Sequence, residues 1–213
     1  MGYKTLQAVL EAGKTAVDIA FFPEDPFALD RLAKARGLVA VVDCGVAPGM
    51  SSILAAHAVR KLDKARSIKI YVGGLRTMAK TMDVPNMKEK TLRYPGHIEK
   101  MAVLRETGFF NTQEVVVKGT RIRPLDFTAE ILFPKWKLKE GEADITVMKI
   151  IVEGTKENKP LRISYDLFDR YDERTAVHSM ARTTGYTATT AARADAAHQQ
   201  VLKAAETSAE YFS

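Results

Sequence analysis

Apolar and polar residues are arranged in two different ways along this chain, and the change falls near Gly74. Before Gly74, apolar runs at residues 15–22, 38–42 and 68–72 predict three strands. The segments between them have apolar residues at helical spacing and predict helices at residues 3–12, 26–36 and 50–62. Apolar strands that alternate with helices are typical of βαβ units, so we predict a parallel sheet with helices on both faces.

After Gly74 the alternation stops, and the pattern predicts an α+β arrangement. Residues 83–93 are polar and rich in turn formers, and the alanine- and threonine-rich stretch 176–209 predicts a long helix that is broken or bent near Gly185. The remaining elements are helices at 75–82, 97–106 and 124–133 and strands at 114–118, 146–152 and 161–168. The connection at 154–160 is predicted to be longer than a two-residue hairpin.

The fold class predicted from these patterns is α/β, with two domains. Residues 1–74 are expected to form one domain, with a partial parallel sheet and helices on both faces. Residues 75–213 are expected to form a second, α+β domain that ends in the long helix. Two helix ends are marked in the sequence, because Asp25-Pro26 is typical of a helix start and Gly13 of a helix end.

Composition and charge exclude several classes of protein. The 213 residues are 46% hydrophobic and 27% charged, which is ordinary for a globular protein. The single cysteine, Cys44, excludes an internal disulfide and a cysteine-built zinc site. No apolar run approaches the ~20 residues of a membrane helix, and the N-terminus has no signal-peptide pattern, so we expect a cytoplasmic protein without a membrane partner.

The net charge of +6 does not point to nucleic acid, because its distribution is even. Residues 1–74 hold 10 Lys+Arg and 7 Asp+Glu, and the rest holds 22 and 19, so each part carries +3 with both signs interleaved. A nucleic-acid surface concentrates positive charge on one face or helix. We therefore expect a mixed, solvated surface and no nucleic-acid partner.

The first candidate site is the segment Asp43-Cys44-Gly45-Val46-Ala47-Pro48-Gly49-Met50-Ser51, between a predicted strand and a predicted helix. Ligands of doubly wound sheets bind beyond the carboxyl ends of the strands, and a helix start offers unpaired N–H groups and a partial positive charge. The alternative is an ordinary strand-to-helix turn with a Gly-Pro bend. Cys44 itself is more typical of a small buried apolar residue than of a reactive thiolate.

The second candidate site is the segment T-L-R-Y-P-G-H-I-E-K at residues 91–100. His97 can act as an acid or base near neutral pH, and Arg93 can bind a carboxylate through two hydrogen bonds. The alternative is a loop before a helix, with solvated charges. Asp166, Asp169 and Asp172 allow either a carboxylate cluster or a solvated strand-to-helix turn. No metal site is predicted, because the histidines show no metal-ligand spacing.

Together these motifs resemble the saccharopine dehydrogenase-like family, and most closely its lysine 6-dehydrogenase branch. The resemblance rests on V-V-D-C-G-V-A-P-G-M-S at 41–51, I-Y-V-G-G at 70–74, T-L-R-Y-P-G-H-I-E-K at 91–100 and M-A-R-T-T-G-Y-T-A-T-T-A-A-R at 180–193. It implies an oxidoreductase with NAD or NADP as cofactor, which transfers a hydride between the nicotinamide and the amine-bearing carbon of a small-molecule amino acid. It also implies that residues 1–74 form the C-terminal half of a Rossmann-type dinucleotide-binding domain. The family is homo-oligomeric, so we expect a dimer.

The resemblance implies roles for individual residues. The backbone of Gly45, Val46, Ala47, Gly49 and Met50 matches the segment at the nicotinamide end of the cofactor. Arg93 and His97 match the motif that faces the substrate, so Arg93 is expected to bind the amino-acid carboxylate and His97 to orient the amine or relay its proton. Asp43, together with Asp18, is expected to hold a cationic amine.

Two departures from the family pattern lead to an expectation about the chain itself. The glycine-rich dinucleotide fingerprint that opens the family's first domain is absent here, and so is the family's insert after Gly74. We therefore expect a fragment with a discontinuity between Gly74 and Leu75, which by itself binds nicotinamide cofactors weakly and is inactive. The alternative function is a catalytically silent binding or assembly module of the same fold. An upstream G-x-G-x-x-G would favour the enzyme.

Overall fold

The computed structural model describes residues 2–72, 81–139 and 141–210, with side chains as far as residue 196. The discontinuity expected between Gly74 and Leu75, and residues 75–80 of a predicted helix, lie outside the described residues. The helices are α1 (Tyr3–Glu11), α2 (Asp30–Ala35), α3 (Met50–Val59), α4 (His97–Glu106), α5 (Pro124–Trp136) and α6 (Ser179–Glu210). The strands are β1 (Ala16–Val17), β2 (Ala40–Val41), β3 (Lys64–Tyr71), β4 (Asn86–Lys90), β5 (Val115–Val117), β6 (Thr120–Ile122), β7 (Ile145–Lys156) and β8 (Lys159–Arg170).

The chain divides into two compact units, which are described separately. One comprises Met1–Thr91 together with Ala143–Ser213, and the other comprises Leu92–Glu142. The domain boundary predicted at Gly74 falls on residues outside the described ranges and stays a prediction. The fold class is confirmed: it is α/β, with a partial Rossmann-like parallel pair and an α+β part.

The parallel pair is formed by β1 and β2, with Ala16 opposite Ala40 and Val17 opposite Val41. The prediction that the runs 15–22 and 38–42 lie parallel in one sheet is therefore confirmed, although each regular strand is only two residues long.

The helix start predicted at Asp25-Pro26 is also confirmed. The Asp25 carboxylate accepts a hydrogen bond from the Phe27 amide at 3.2 Å, ahead of a 3₁₀ turn at Pro26–Leu29 that leads into α2. This turn and α2 pack with α1 on the parallel pair. The core of this part comprises Leu6, Leu10, Phe22, Leu29 and Ala33.

The prediction that the third apolar run belongs to the parallel sheet is wrong. The run 68–72 belongs to β3, which pairs with β4 and β7 in a separate four-stranded sheet of order β4-β3-β7-β8, and not with β1 and β2. Within β3, Ile68 and Ile70 are buried while the residue between them is not. This alternation is typical of a sheet that packs on one face, and α3 covers that face.

The strand β4 is missing from the sequence prediction, which treats residues 83–93 as turns. Its only apolar side chain, Met87, packs against the core, and the other four residues are exposed. The strand forms because its backbone pairs with β3 in parallel, from Asn86 opposite Ser67 to Lys90 opposite Tyr71. A polar edge strand of this kind leaves almost no hydrophobic pattern in the sequence.

The connection between β7 and β8 also differs from the prediction. It is a two-residue turn at Glu157–Asn158, with φ of 51° and 60°, as in a type I′ hairpin turn. Position 154 inside β7 requires glycine, because a Cβ there would collide with the backbone carbonyl of Lys64. Pro160 lies inside β8, which is an edge strand, where proline is tolerated.

The last helix, α6, runs through Gly185 without a break, so the break predicted there is wrong, while the alternative of a bend stays a prediction. A glycine inside a helix costs only about 1 kcal/mol relative to alanine, which neighbouring turns readily offset. No helix in the described part of the chain is long and apolar enough to cross a membrane.

The unit Leu92–Glu142 contains α4, the antiparallel β5–β6 hairpin and α5. The helices at 97–106 and 124–133 and the strand at 114–118 are confirmed, while β6 is additional. Among its described residues only Thr128 is buried, and its hydroxyl donates to the carbonyl oxygen of Phe109 at 2.9 Å. Large apolar side chains such as Ile98 and Phe133 are about two-thirds exposed, at 66% and 67%.

Candidate functional site

The turn between β2 and α3 lies where β1 and β2 both end. Hydrogen bonds continue past the two strands, because the Asp18 amide donates to the Val41 carbonyl at 2.8 Å and the Cys44 amide donates to the Asp18 carbonyl at 3.0 Å. The structure therefore brings the predicted residues Asp18 and Asp43 to one sheet edge. Asp43 is buried and has a positive φ of 57°. Asp carboxylates at the carboxyl ends of parallel strands occupy the usual position of ligand-binding groups.

The turn closes tightly on itself. The amides of Met50 and Ser51 donate to the carbonyls of Gly45 and Val46 at 2.9 and 3.0 Å, and the peptide bond between Ala47 and Pro48 is cis. Gly49 has a φ of 133°, and a Cβ on it would collide with the Gly45 carbonyl and lie 2.7 Å from the Asp43 carbonyl. Only glycine fits there without opening the turn.

The closure of the turn changes which amides can meet a ligand. The helix start was expected to offer unpaired N–H groups, but those of Met50, Ser51 and Ile53 are bonded to carbonyls of the turn. These bonds do not use the amides of Val46, Ala47 and Gly49. Two of the residues in the predicted cofactor segment are themselves buried, Val46 at 5% exposure and Gly49.

Two serines to which the sequence assigned no role of their own lie in the first turn of α3. The hydroxyls of Ser51 and Ser52 are buried and have no hydrogen-bond partner within the described residues, and Ser51 is fully buried. A buried hydroxyl without a partner costs free energy, so such groups mark positions where a ligand or water completes the bonding. The two adjacent serines that follow Pro48-Gly49-Met50 are the feature of the sequence that points to them.

Cys44 is a buried apolar side chain, as the sequence indicated. It is 2% exposed, and its Sγ lies 3.8 Å from the carbonyl oxygens of Val41 and Val42. Burial raises the pKa of the Cys44 thiol, and the negative charges of Asp43 and Asp18 raise it further. The thiolate is therefore disfavoured at neutral pH.

We expect Cys44 to react slowly with a disulfide reagent in the native protein. At pH 8 its reaction with dithionitrobenzoate should be ~100-fold slower than in ~6 M urea, because the folded thiol is both buried and protonated. The measurement is the rate of absorbance change at equal reagent concentration. Equal rates in the folded and unfolded protein would contradict this assignment.

Apart from Thr91, the segment at residues 91–100 belongs to the second unit. Gly96 takes a left-handed conformation with φ of 81°, and the His97 amide donates to the Tyr94 carbonyl at 3.1 Å, so the predicted Pro-Gly bend does start α4 at His97. The His97 ring lies 6.2 Å from the Trp136 ring. Arg93 is exposed, and its guanidinium donates to the adjacent Leu92 carbonyl at 2.8 Å. The β2–α3 turn lies in the other unit.

Asp166 and Asp169 in β8 and Asp172 just after it do not form a single carboxylate cluster. Asp169 and Asp172 both approach Arg182 of α6, at 2.7 and 3.4 Å, while Asp166 pairs with Lys149 at 2.5 Å. The contacts with Arg182 hold the start of α6 against β8. Within the described residues, no three His, Cys, Asp or Glu side chains are grouped as metal ligands.

Asp144 caps α6 from a distant part of the chain. Its two carboxylate oxygens accept from the amides of Ser179 and Met180 at 2.7 and 2.9 Å, and His178 approaches it at 3.4 Å. Burial by itself raises the pKa of Asp144, but the bonds from Met180, Ser179 and His178 together outweigh it and hold the pKa below its usual value. The ionised carboxylate is thus the form that stabilises the fold.

We expect Asp144→Ala to lower the free energy of unfolding by about 1–2 kcal/mol at pH 7, the usual cost of a lost cap. Since the folded pKa of Asp144 is lowered, its stabilisation is present above the unfolded pKa of about 3.9 and is lost as the pH falls through the folded value. The difference between wild type and variant should therefore shrink below about pH 4. Urea denaturation at pH 7 and pH 3 measures this, with Asp144→Asn as the control that keeps one oxygen acceptor.

The parallel β1–β2 pair and the mixed sheet of β3, β4, β7 and β8 define an α/β fold. Comparison with families of known proteins matches residues 76–206 to the Saccharopine dehydrogenase C-terminal domain. The match covers more than half of the 213 residues, and the chain belongs to this family. Membership relates the chain to dehydrogenase-type oxidoreductases of amino-acid metabolism.

Proposed function

We propose that this chain belongs to an NAD(P)-dependent oxidoreductase that acts on the amine-bearing carbon of an amino acid, of the lysine 6-dehydrogenase or saccharopine dehydrogenase type. The observation that carries the proposal is the buried, self-closed turn at residues 43–51 in a chain of the saccharopine dehydrogenase family. The turn follows a parallel strand and carries two buried serine hydroxyls that have no partner within the described residues.

The turn has the donors that suit the nicotinamide end of a cofactor. The amides of Val46, Ala47 and Gly49 take no part in closing it, and the absence of a side chain at Gly49 lets the backbone of Gly45 and Asp43 approach closely. We assign cofactor contact to these residues together with Gly45 and Met50. The bound nicotinamide would accept or supply the hydride at the amine-bearing carbon of the substrate.

The charged residues are assigned to the amino-acid substrate. Arg93, whose exposed guanidinium bonds to a neighbouring backbone carbonyl, binds the substrate carboxylate through two parallel hydrogen bonds. His97, at the first position of α4, orients the substrate amine or relays its proton. Asp43, with Asp18 beside it at the strand ends, attracts a cationic amine.

We also propose that the protein works as a homodimer, whose partners besides the second copy are small molecules. Residues that contact the adenosine ribose decide between NAD and NADP, so the proposal covers both cofactors.

The test is nicotinamide reduction by the protein in its full natural length. NAD and NADP are each offered with L-lysine, saccharopine and related diamines, and the ultraviolet absorbance of the reduced nicotinamide is followed. We expect turnover with one amino acid and one nicotinamide, and a loss of at least about 100-fold in kcat/KM in a variant at His97. A folded full-length protein without turnover on any of these substrates would favour the silent binding or assembly module.

A further inference from the structure

The outer edge of β8 is the longest unpaired strand edge in the described part of the chain. The strand has 12 residues and lies at the end of the four-stranded sheet, next to β7. Among the described residues, no other element forms backbone hydrogen bonds with residues 159–169 on the side away from β7. The opposite edge, β4, has only five residues, and it carries Lys88 and Lys90. A long unpaired edge is a template for pairing with another strand.

The hairpin turn decides which backbone groups of β8 face outward. In a hairpin with a two-residue turn, the residues that flank the turn form a hydrogen-bonded pair, here Lys156 and Lys159. Hydrogen bonding then alternates, so the odd-numbered residues of β8 bond to β7 and the even-numbered residues direct N–H and C=O to the free edge. Pro160 agrees with this assignment, because its missing N–H falls on the free side.

We propose that β8 pairs antiparallel with β8 of a second copy of this chain, about a two-fold axis at Ser164. A two-fold axis perpendicular to the sheet keeps each face of the sheet on its own side, so residues of equal parity oppose each other. With the axis at Ser164, Arg162 opposes Asp166 of the second copy. These residues lie on the sheet face away from α3, and both are exposed.

The same register also matches the residues on the face that α3 covers. Leu161 opposes Leu167 of the second copy, and Ile163 opposes Tyr165. The side chains of Ile163, Tyr165 and Leu167 already pack against the core beneath α3, so pairing extends one apolar core across the axis. Leu161 is 37% exposed in the single chain and would be covered. At the ends of the paired segment, Lys159 opposes Asp169, and Pro160 opposes the exposed ring of Phe168.

Neighbouring registers are less favourable, which selects the axis at Ser164. An axis at Arg162 opposes that residue to itself, and an axis at Asp166 opposes Arg162 to Arg170, so both place like charges together. An axis at Tyr165 places Leu161 against Asp169, and an axis at Ile163 places Lys159 against Leu167. Of these five registers, the axis at Ser164 alone pairs opposite charges and apolar residues at the same time.

The first experiment measures mass by sedimentation equilibrium on the 213-residue chain. We expect a concentration-dependent dimer of twice the 23.6 kDa of one chain. Ser164→Pro should shift it to monomer, because proline removes the outward N–H at the axis while the bonds to β7 remain. Ser164→Ala, which keeps that N–H, should stay dimeric. A wild-type chain that is monomeric at about 100 µM would overturn the proposal, and so would a Ser164→Pro variant that stays dimeric.

Disulfide trapping tests the register without relying on proline. Cα atoms of a hydrogen-bonded antiparallel pair lie ~5.5 Å apart, within the range of a disulfide, so Ser164→Cys should form a covalent dimer on mild oxidation. Arg162→Cys is the control and should not, because position 162 opposes Asp166 and not itself. A covalent dimer of the Arg162→Cys variant, together with none of the Ser164→Cys variant, would overturn this register.

Charge reversal tests the same register in solution. Arg162→Glu should weaken the dimer at least about tenfold, because the new glutamate faces Asp166 of the second copy on each side of the two-fold axis. Adding Asp166→Arg should restore the dimer, and failure of the double variant to do so would overturn the register. The proposal does not depend on the proposed catalytic function, so an inactive but dimeric protein would contradict only the latter.

Discussion

Replacing Gly49 with alanine is expected to lower the free energy of unfolding by about 3 kcal/mol or more, the scale reached when backbone strain and a steric collision combine. The φ of Gly49 is 133°, which residues with a side chain avoid. The added Cβ would also collide with the Gly45 carbonyl, and would lie 2.5 Å from the Gly45 nitrogen. These are backbone atoms, so no side-chain rotation can relieve the collision and the turn has to open.

Gly13 supplies the matched control. It also has a positive φ, 72°, but a Cβ there would meet no atom within 4 Å. Gly13→Ala should therefore cost only the conformational strain, about 1–2 kcal/mol. Urea denaturation monitored by circular dichroism compares the two variants. If both variants lose the same free energy of unfolding, the backbone collision at position 49 adds nothing to the cost of its positive φ.

The second large effect is expected in catalysis by the full-length protein. His97→Asn should lower kcat/KM by roughly 100-fold or more, the usual effect of losing an acid–base group. Arg93→Lys should mainly raise KM, because an ammonium group cannot form the two parallel hydrogen bonds of a guanidinium with a carboxylate. Steady-state kinetics with the substrate identified by the nicotinamide assay separate the two effects.

His178→Asn is the control for the histidine substitution. His178 lies beside the Tyr171 ring and contacts Asp144 at the start of α6, so the change should affect stability and leave kcat/KM near that of the wild type. If His97 only packs beside Trp136, His97→Asn should behave in the same way. Normal kinetics in both the His97 and Arg93 variants, with the fold intact, would remove the 91–100 motif from the active site and favour the silent module.

Several elements could be predicted from the sequence because local interactions decide them. The helix at 97–106 begins after a Pro-Gly bend, and the helix at 124–133 begins with a first-turn proline. The Asp25 cap and the glycine after α1 are likewise decided by neighbouring residues. The position of the 43–51 turn at a strand end follows from the strand pattern alone.

The partners of the strands were decided only by the tertiary structure. The apolar run 68–72 predicts one more strand of the parallel sheet, but pairing with β7, some 80 residues later, places it in another sheet. The polar strand β4 forms because β3 offers it a backbone edge, and its own side chains contribute little.

The candidate site shows the same division. The sequence by itself determined which residue types stand at the turn and at the start of α4. Only the tertiary structure decided that carbonyls of the turn occupy the first amides of α3, and that the hydroxyls of Ser51 and Ser52 are buried. The physical reason is that helix spacing and caps depend on residues within a few positions of one another. Strand pairing, burial and hydrogen-bond closure depend on backbone that is distant in the chain, as where Gly154 allows β7 to approach Lys64.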